Sequence, residues 1–240
     1  MSLHWKTFRH LNIPFKEIET IEGETRYYKV DENNILPSMT SILKILDDKG
    51  IDKWKKAVGD DEANRIVQEA ITRGNSLHDL SERYLLNTLN REDVSGPGKI
   101  LFNRNKKYLD ELGPIVGVEV PLYSLCKKYA GRGDLIAFHG KHLCIVDHKN
   151  SRKPINLKKR YGKRKLFKYM LQIVGYAIAF KEMFPDLPMP THGMLIIGNH
   201  ETMNSECRKF LLKPLIKEFE ILLDIYYNHS DKKQSAYFKL

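Results

Sequence analysis

An α/β fold with a central mixed sheet flanked by helices is what the chain predicts, on three observations. A helical hydrophobic period over 60–87 gives way near Ile115 to strand-like alternation. A further helical stretch, at about 165–183, separates the third strand of that run from the buried strand around Met194-Leu-Ile-Ile197. A hydrophobic fraction of 42% over 240 residues is enough to bury a sizeable core.

In order along the chain, residues 1–60 read as a helical and hairpin extension. A strand over 24–30 (Tyr27, Tyr28, Val30) leads into the turn-forming Asp31-Glu-Asn-Asn34. Ser38 is a suitable N-cap for a short helix through Ile42, Leu43 and Leu46. In the helix over 60–87, Ile66, Ala70, Leu77, Leu80, Tyr84 and Leu85 recur at helical spacing. Gly74 inside it costs about 1 kcal/mol against Ala, which points to close packing or a nearby ligand. Ser95-Gly-Pro-Gly98 is a loop, and a helix follows over 99–112. Strands are expected over 116–124, 129–139 and 142–149, the last two joined by a tight turn at Gly140. After a basic loop come the helix over 165–183, the strand over 192–198 and a final amphipathic helix over 205–229. One domain is expected: an extension over 1–60, a core over 61–200 and a C-terminal helical segment over 201–240.

Composition narrows the class. Forty Lys plus Arg against thirty Asp plus Glu give a net charge of +10, which favours a polyanionic partner. Cys126, Cys144 and Cys207 are scattered and odd in number, which argues against a disulfide framework and for a reducing compartment. No CxxC pair occurs, so neither a zinc ribbon nor an iron–sulfur cluster is expected. No run approaches the roughly 18 apolar residues of a membrane span, and residues 1–12 lack a signal-peptide apolar core. No membrane partner is expected, and a cytoplasmic setting is.

The chemistry concentrates on the third strand, Cys144-Ile-Val-Asp147-His148-Lys149. Side chains on a strand alternate, so Asp147 and Lys149 share one side and His148 points to the other. The neighbouring strand offers Asp134 within Gly131-Arg-Gly-Asp134, and a hairpin brings the two carboxylates to one place. Such carboxylates repel unless a cation lies between them, and oxygen ligands suit Mg2+ or Mn2+. A lysine beside that ion can position water and offset phosphate charge. An isolated Asp-x-Lys is more commonly a surface ion pair, so the surroundings decide.

Those surroundings are Arg73-Gly74-x-x-x-His78 upstream, Gly131-x-Gly-Asp134, Asp147-x-Lys149, and Gln172-x-x-x-Tyr176 downstream. In this order they resemble the RecB-like branch of the PD-(D/E)xK nucleases over roughly residues 70–200. Pro37-Ser-Met-Thr-Ser-Ile-Leu43 is similar to the N-terminal segment of small stand-alone members, such as the mitochondrial genome maintenance exonuclease and related phage exonucleases. The resemblance implies a restriction-endonuclease-like core and a Mg2+- or Mn2+-dependent deoxyribonuclease serving replication, recombination or repair. It implies that His78, Asp134 and Asp147 are metal ligands, joined by the backbone carbonyl of His148. Lys149 would be the catalytic lysine, with Gln172 and Tyr176 lining the site. The i, i+4 spacing of Gln172 and Tyr176 puts both on one helix face. Glu119 would add an outer carboxylate, and Glu82 would hydrogen-bond His78. The chain departs from the pattern at His148, where relatives carry an aromatic or apolar residue, and at Asn150, where they carry Thr. Asn150 and Ser151 can still donate to phosphate. If the chain is phage-encoded, the setting is the host-cell cytoplasm, ahead of the mitochondrial matrix.

Nine Lys or Arg fall within 152–168 with no acid among them, leaving +1 for all the rest of the chain. Lys158, Lys159, Arg160, Lys163, Arg164 and Lys165 are interleaved with Tyr161, Phe167 and Tyr169. Arg73 is the other basic group expected to meet nucleic acid. Basic and aromatic residues mixed in this way suit the backbone and bases of single-stranded DNA, although most charge runs are merely solvated. The first reading is therefore an exonuclease preferring single strands or free ends. A structure-specific endonuclease and a non-catalytic nucleic-acid-binding protein are the competing readings.

Overall fold

The computed structural model describes residues 5–47 and 50–228. A small antiparallel sheet of β1 (Glu19–Ile21), β2 (Tyr27–Asp31) and β3 (Asn34–Pro37) precedes α1 (Met39–Leu43), which Ser38 caps by accepting from the Ser41 amide at 3.0 Å. Next come α2 (Gly50–Val58), which is left unassigned within the expected extension, the long α3 (Asp60–Leu85) and α4 (Lys99–Leu109). Asp60, Asp61 and Glu62 open α3 and complement its dipole. The main sheet contains β4 (Ile115–Ser124), β5 (Tyr129–His139), β6 (His142–Ser151), β7 (His192–Asn199) and β8 (Asn204–Leu211), hydrogen-bonded in that order. Helix α5 (Arg160–Met183) carries the chain from β6 to β7, so that pair is parallel and the others antiparallel. Helix α6 (Ile216–Asn228) follows β8.

Strand alternation sorts the core into two layers. Ile136, Ile145, Leu195 and Ile197 pack with Ile173, Val174 and Phe180 of α5 and Phe219 and Leu222 of α6. Leu135, Ala137, Cys144, Val146, Met194 and Ile196 pack with Leu77, Leu80 and Tyr84 of α3 and Leu101 and Phe102 of α4. The expected α/β architecture with a mixed sheet is present. Among the described residues no helix is long and apolar enough to cross a membrane.

Three expectations are corrected. The sequence predicts the final helix from 205, but residues 204–211 form β8, registered along all of β7 from Asn199↔Asn204 to His192↔Leu211. Its mix of small, charged and apolar residues suits an edge strand, and a 3-10 turn over 213–215 leads into an α-helix over only 216–228; residues 229–240 lie outside the described residues. The N-terminal extension does not stand apart from the expected core over 61–200 but packs into both of its layers. Met39, Ile42 and Leu43 are buried in the α5 layer, Phe8 in the α3 layer, and the Leu11 amide donates to the Ile115 carbonyl at 2.7 Å. Helix α5 begins at Arg160 rather than 165, so Arg160, Lys163, Arg164 and Lys165 lie on a helix, not a loop.

Candidate functional site

A fork in the sheet builds the site. The last registered pair between β5 and β6 is Leu135 with Val146. Beyond it β6 continues along β7 to Ser151, while β5 continues along β4 toward Tyr129. The strands part at the next two residues, Asp134 and Asp147. The His148 amide, which has left the ladder, donates instead to Asp134 Oδ2 at 2.7 Å. Backbone donors inside a protein need an acceptor, so this bond also fixes the Asp134 carboxylate.

On the α5 side, Asp147 and Lys149 continue the row of Ile145. Lys149 Nζ lies 2.8 Å from Asp147 Oδ1 and 2.7 Å from Oδ2, and 5.2 Å from the ring centre of Tyr169. Asp147 is buried. Burial pushes its carboxyl above the ordinary range, Lys149 pulls it back and the charge of Asp134 adds to the rise. Burial works against the Lys149 ammonium, but the charges of Asp147 and Asp134 more than offset it and hold its pKa up. Gln172 Nε2 donates to Tyr176 Oη at 3.3 Å. Burial pushes the Tyr176 phenol far up, with the Asp134 and Asp147 charges adding to the effect. The Tyr176 ring lies directly on β5, where a Cβ on Gly131 would stand 2.8 Å from it. That close approach explains the glycine at 131.

On the α3 side, His148 continues the row of Cys144 and Val146 and is buried, its ring edge-on to that of His78 with centroids 5.8 Å apart. His78 Nδ1 is 3.5 Å from Glu119 Oε1 and 3.8 Å from Asp134 Oδ2. Glu119 has a left-handed backbone, φ 49°, which costs of order 1–3 kcal/mol in a non-glycine residue. That turn reverses the pleat of β4. Val118 packs with the α3 layer, and Val120, two residues on, packs with the α5 layer. Between them the Glu119 carboxylate meets His78. Burial lowers the His78 pKa, but the hydrogen bond to Glu119 and the charges of Asp134 and Glu119 outweigh it and hold it at about 9. Burial takes His148 down to about 4, so its imidazole is neutral. Burial raises Glu119, with His78 opposing the rise and Asp134 adding to it.

One ligand atom each from His78, Asp134 and His148 lies within 4.8 Å of the others. His148 Nε2 is buried and has no hydrogen-bond partner among the described residues. An unpaired buried nitrogen is costly, and the lone pair of a neutral imidazole is a common metal ligand. The donor set therefore fits a divalent metal. This group differs from the expected ligand trio. It has the His148 ring in the place expected of Asp147, because Asp147 faces Lys149. Alternation does send the ring away from Lys149, but it carries it to His78, so His148 is more than a packing substitution.

Other predicted residues are distributed as follows. Glu119, not Glu82, is the carboxylate that meets His78. Asn150 donates to the Ala70 carbonyl at 3.0 Å, and buried Ser151 donates its hydroxyl hydrogen to the Lys153 carbonyl at 2.8 Å, so both expected phosphate donors are engaged within the protein. A Cβ on Gly74 would meet only Asn150 Nδ2 at 3.8 Å, an ordinary contact, so packing does not demand glycine there. Arg73 lines a separate cavity of about 230 Å³ with Arg65, Glu69, Arg152 and His200. Lys158, Lys159, Arg160 and Lys163 are exposed at the start of α5, while Lys165 reaches Ser151 Oγ at 3.1 Å. Tyr161, Arg164, Lys165, Lys168 and Tyr169 line a cavity of about 350 Å³ with Leu46 and Asp47. In the sequence, Tyr169 is only one aromatic of the basic run. In the structure it borders this cavity and Lys149 alike, which only the geometry of α5 reveals.

No protein-family model matches the chain and no curated protein does. Among solved structures, the crystal structure of SSO0001 is similar over 84% of this chain and 82% of its own, at 13% identity and a TM-score of 0.39.

Proposed function

We propose that this chain is a metal-dependent deoxyribonuclease of the RecB-like PD-(D/E)xK type, an exonuclease acting on single strands or free ends. The observation that carries the reading is the sheet fork, with Asp134 and Asp147 at its branch point and Lys149 paired to Asp147. Carboxylates on parting strands, followed by a lysine one pleat on, form a compact acid–base centre.

Asp134 and His78 would hold the ion, beside the Asp147–Lys149 pair. A bound divalent cation supplies positive charge against the phosphate and makes a nearby water more acidic. Lys149 orients the attacking water and offsets the charge that builds on the phosphorus oxygens. Gln172 and Tyr176 present a hydrogen-bonding edge beside it, and Tyr169 keeps the lysine stem in place. The cations at the start of α5 draw the DNA backbone to the cleft, and their position supports the polyanion reading. They occupy the positive end of a helix dipole that no acidic residue offsets.

End-labelled single- and double-stranded DNA, incubated with Mg2+, with Mn2+ and with EDTA, tests the proposal, with circular DNA as the control for internal cleavage. Metal-dependent release of nucleotides from linear DNA is expected, with Asp147→Asn inactive. Full activity of Asp147→Asn, or none in the native chain with either metal, sinks it.

A further inference from the structure

We infer that the His148 imidazole is itself a metal ligand, making the centre a site of two imidazoles and a carboxylate that selects a transition ion such as Mn2+ over Mg2+. The inference rests on the metal-dependent reading above and adds to it the kind of ion.

Strand alternation places His148 at the end of the apolar row Cys144–Val146, in the layer packed under α3. A histidine so placed is either a core filler with its nitrogens bonded or a ligand. His148 Nε2 has no partner among the described residues, so the filler account leaves a nitrogen unexplained. The group it does approach is the one best suited to share a cation. His78 and Asp134 each bring a ligand atom within 4.8 Å of one of the His148 ring nitrogens, a span that small side-chain rotations close onto ligand bonds of ~2.1 Å. The Asp134 carboxylate is already fixed by the His148 amide at 2.7 Å, and the His78 imidazole approaches Glu119 at 3.5 Å. Supports of this kind orient ligands before the ion arrives.

The chemistry of the donors decides the ion. Mg2+ takes oxygen ligands and keeps several waters, whereas imidazole nitrogens suit iron, nickel, copper and zinc ions; Mn2+, the weakest binder of the first-row transition series, also accepts oxygen ligands. A carboxylate-only centre would bind Mg2+ and Mn2+ with similar strength. Two imidazoles shift the balance toward the transition ions.

The test uses metal binding to the full chain without DNA. Calorimetric titration should show Mn2+ binding at least ~10-fold tighter than Mg2+. In His148→Phe, which fills the same space without nitrogen, Mn2+ affinity should fall on the order of 10- to 100-fold, with Mg2+ changed less than ~3-fold. A second readout needs no variant: in the native chain, Mn2+ should broaden the ring NMR signals of both His78 and His148 ahead of other histidines. Equal affinity for the two ions, an unchanged Mn2+ affinity in His148→Phe, or unbroadened His148 signals each overturns the inference. The nuclease proposal fails separately. Tight, His148-dependent Mn2+ binding without DNA cleavage would sink that proposal and leave this one standing.

Discussion

The two sides of the sheet fork treat their polar groups in opposite ways. Toward α5, the buried carboxylate of Asp147 is matched by Lys149, Lys149 is covered by Tyr169, and Gln172 bonds Tyr176. Toward α3, one imidazole nitrogen is buried without a partner among the described residues, and His78 sits loosely between two carboxylates, at 3.5 and 3.8 Å. Both sides adjoin the branch point, so the contrast is not one of distance from it. On the α5 side the buried Asp147 Oδ2 has no hydrogen bond but faces the Lys149 ammonium at 2.7 Å, whereas on the α3 side His148 Nε2 has no hydrogen-bond partner among the described residues. Polar groups that are already satisfied are suited to holding a reacting geometry, and groups left open are suited to holding a ligand.

This contrast predicts opposite outcomes for substitutions on the two sides. In metal-free protein, Lys149→Ala strands the buried Asp147 and should cost about 3 kcal/mol in urea denaturation at pH 8, less at pH 5, where the raised Asp147 carboxyl takes up a proton. Nuclease activity should fall by ~10²- to 10⁴-fold. His148→Phe removes an unpaired nitrogen and should leave the metal-free protein unchanged or up to ~1 kcal/mol more stable. Equal destabilisation by the two substitutions would break the comparison.

Legibility from sequence follows the same division. The α5 side is readable because strand alternation puts Asp147 and Lys149 on one face and helical spacing puts Gln172 and Tyr176 on another. The α3 side is readable only in part. Alternation turns the His148 ring away from Lys149, but it says nothing about what lies beneath the sheet, and α3 puts His78 there. Glu119 needs a left-handed backbone to reach its place, which no propensity foretells for a glutamate. The final helix is overextended in the sequence for a related reason. Ser205–Leu211 alternates weakly because β8 is an edge strand with one polar side, and its strand character comes from pairing with β7.

A pH series sharpens the comparison at smaller magnitude. His78 has its pKa raised from 6.5 to about 9, so the stability it contributes is fully present below about pH 6.5 and is lost as pH rises through 9. A third of the side chain is exposed, and solvent screening reduces the effect to of order 1 kcal/mol. Metal-free protein should therefore melt at lower temperature at pH 9.5 than at pH 6.5, and His78→Gln should flatten that slope. A cation competes with the same proton, so Mn2+ affinity should rise across this window with release of protons. Affinity that does not change between pH 6.5 and 9 would mean that His78 is not a ligand.

The smallest effect is expected farthest from the fork, at the start of α5. Lys158, Lys159 and Arg160 are exposed there, outside the group of ligand atoms formed by His78, Asp134 and His148. Replacing all three with Ala should leave folding and metal binding unchanged and weaken single-stranded DNA binding. The dependence of log K on log salt should become shallower by about 0.7 for each phosphate that is no longer neutralised, up to ~2 in total. Like charges at a helix N-terminus repel one another and the dipole, so the metal-free, DNA-free triple variant should be no less stable than the native chain. A salt slope identical to the native one would remove these cations from the DNA path. The cavity lined by Tyr161, Lys165 and Tyr169 would then be the part of α5 left to guide a strand toward Lys149.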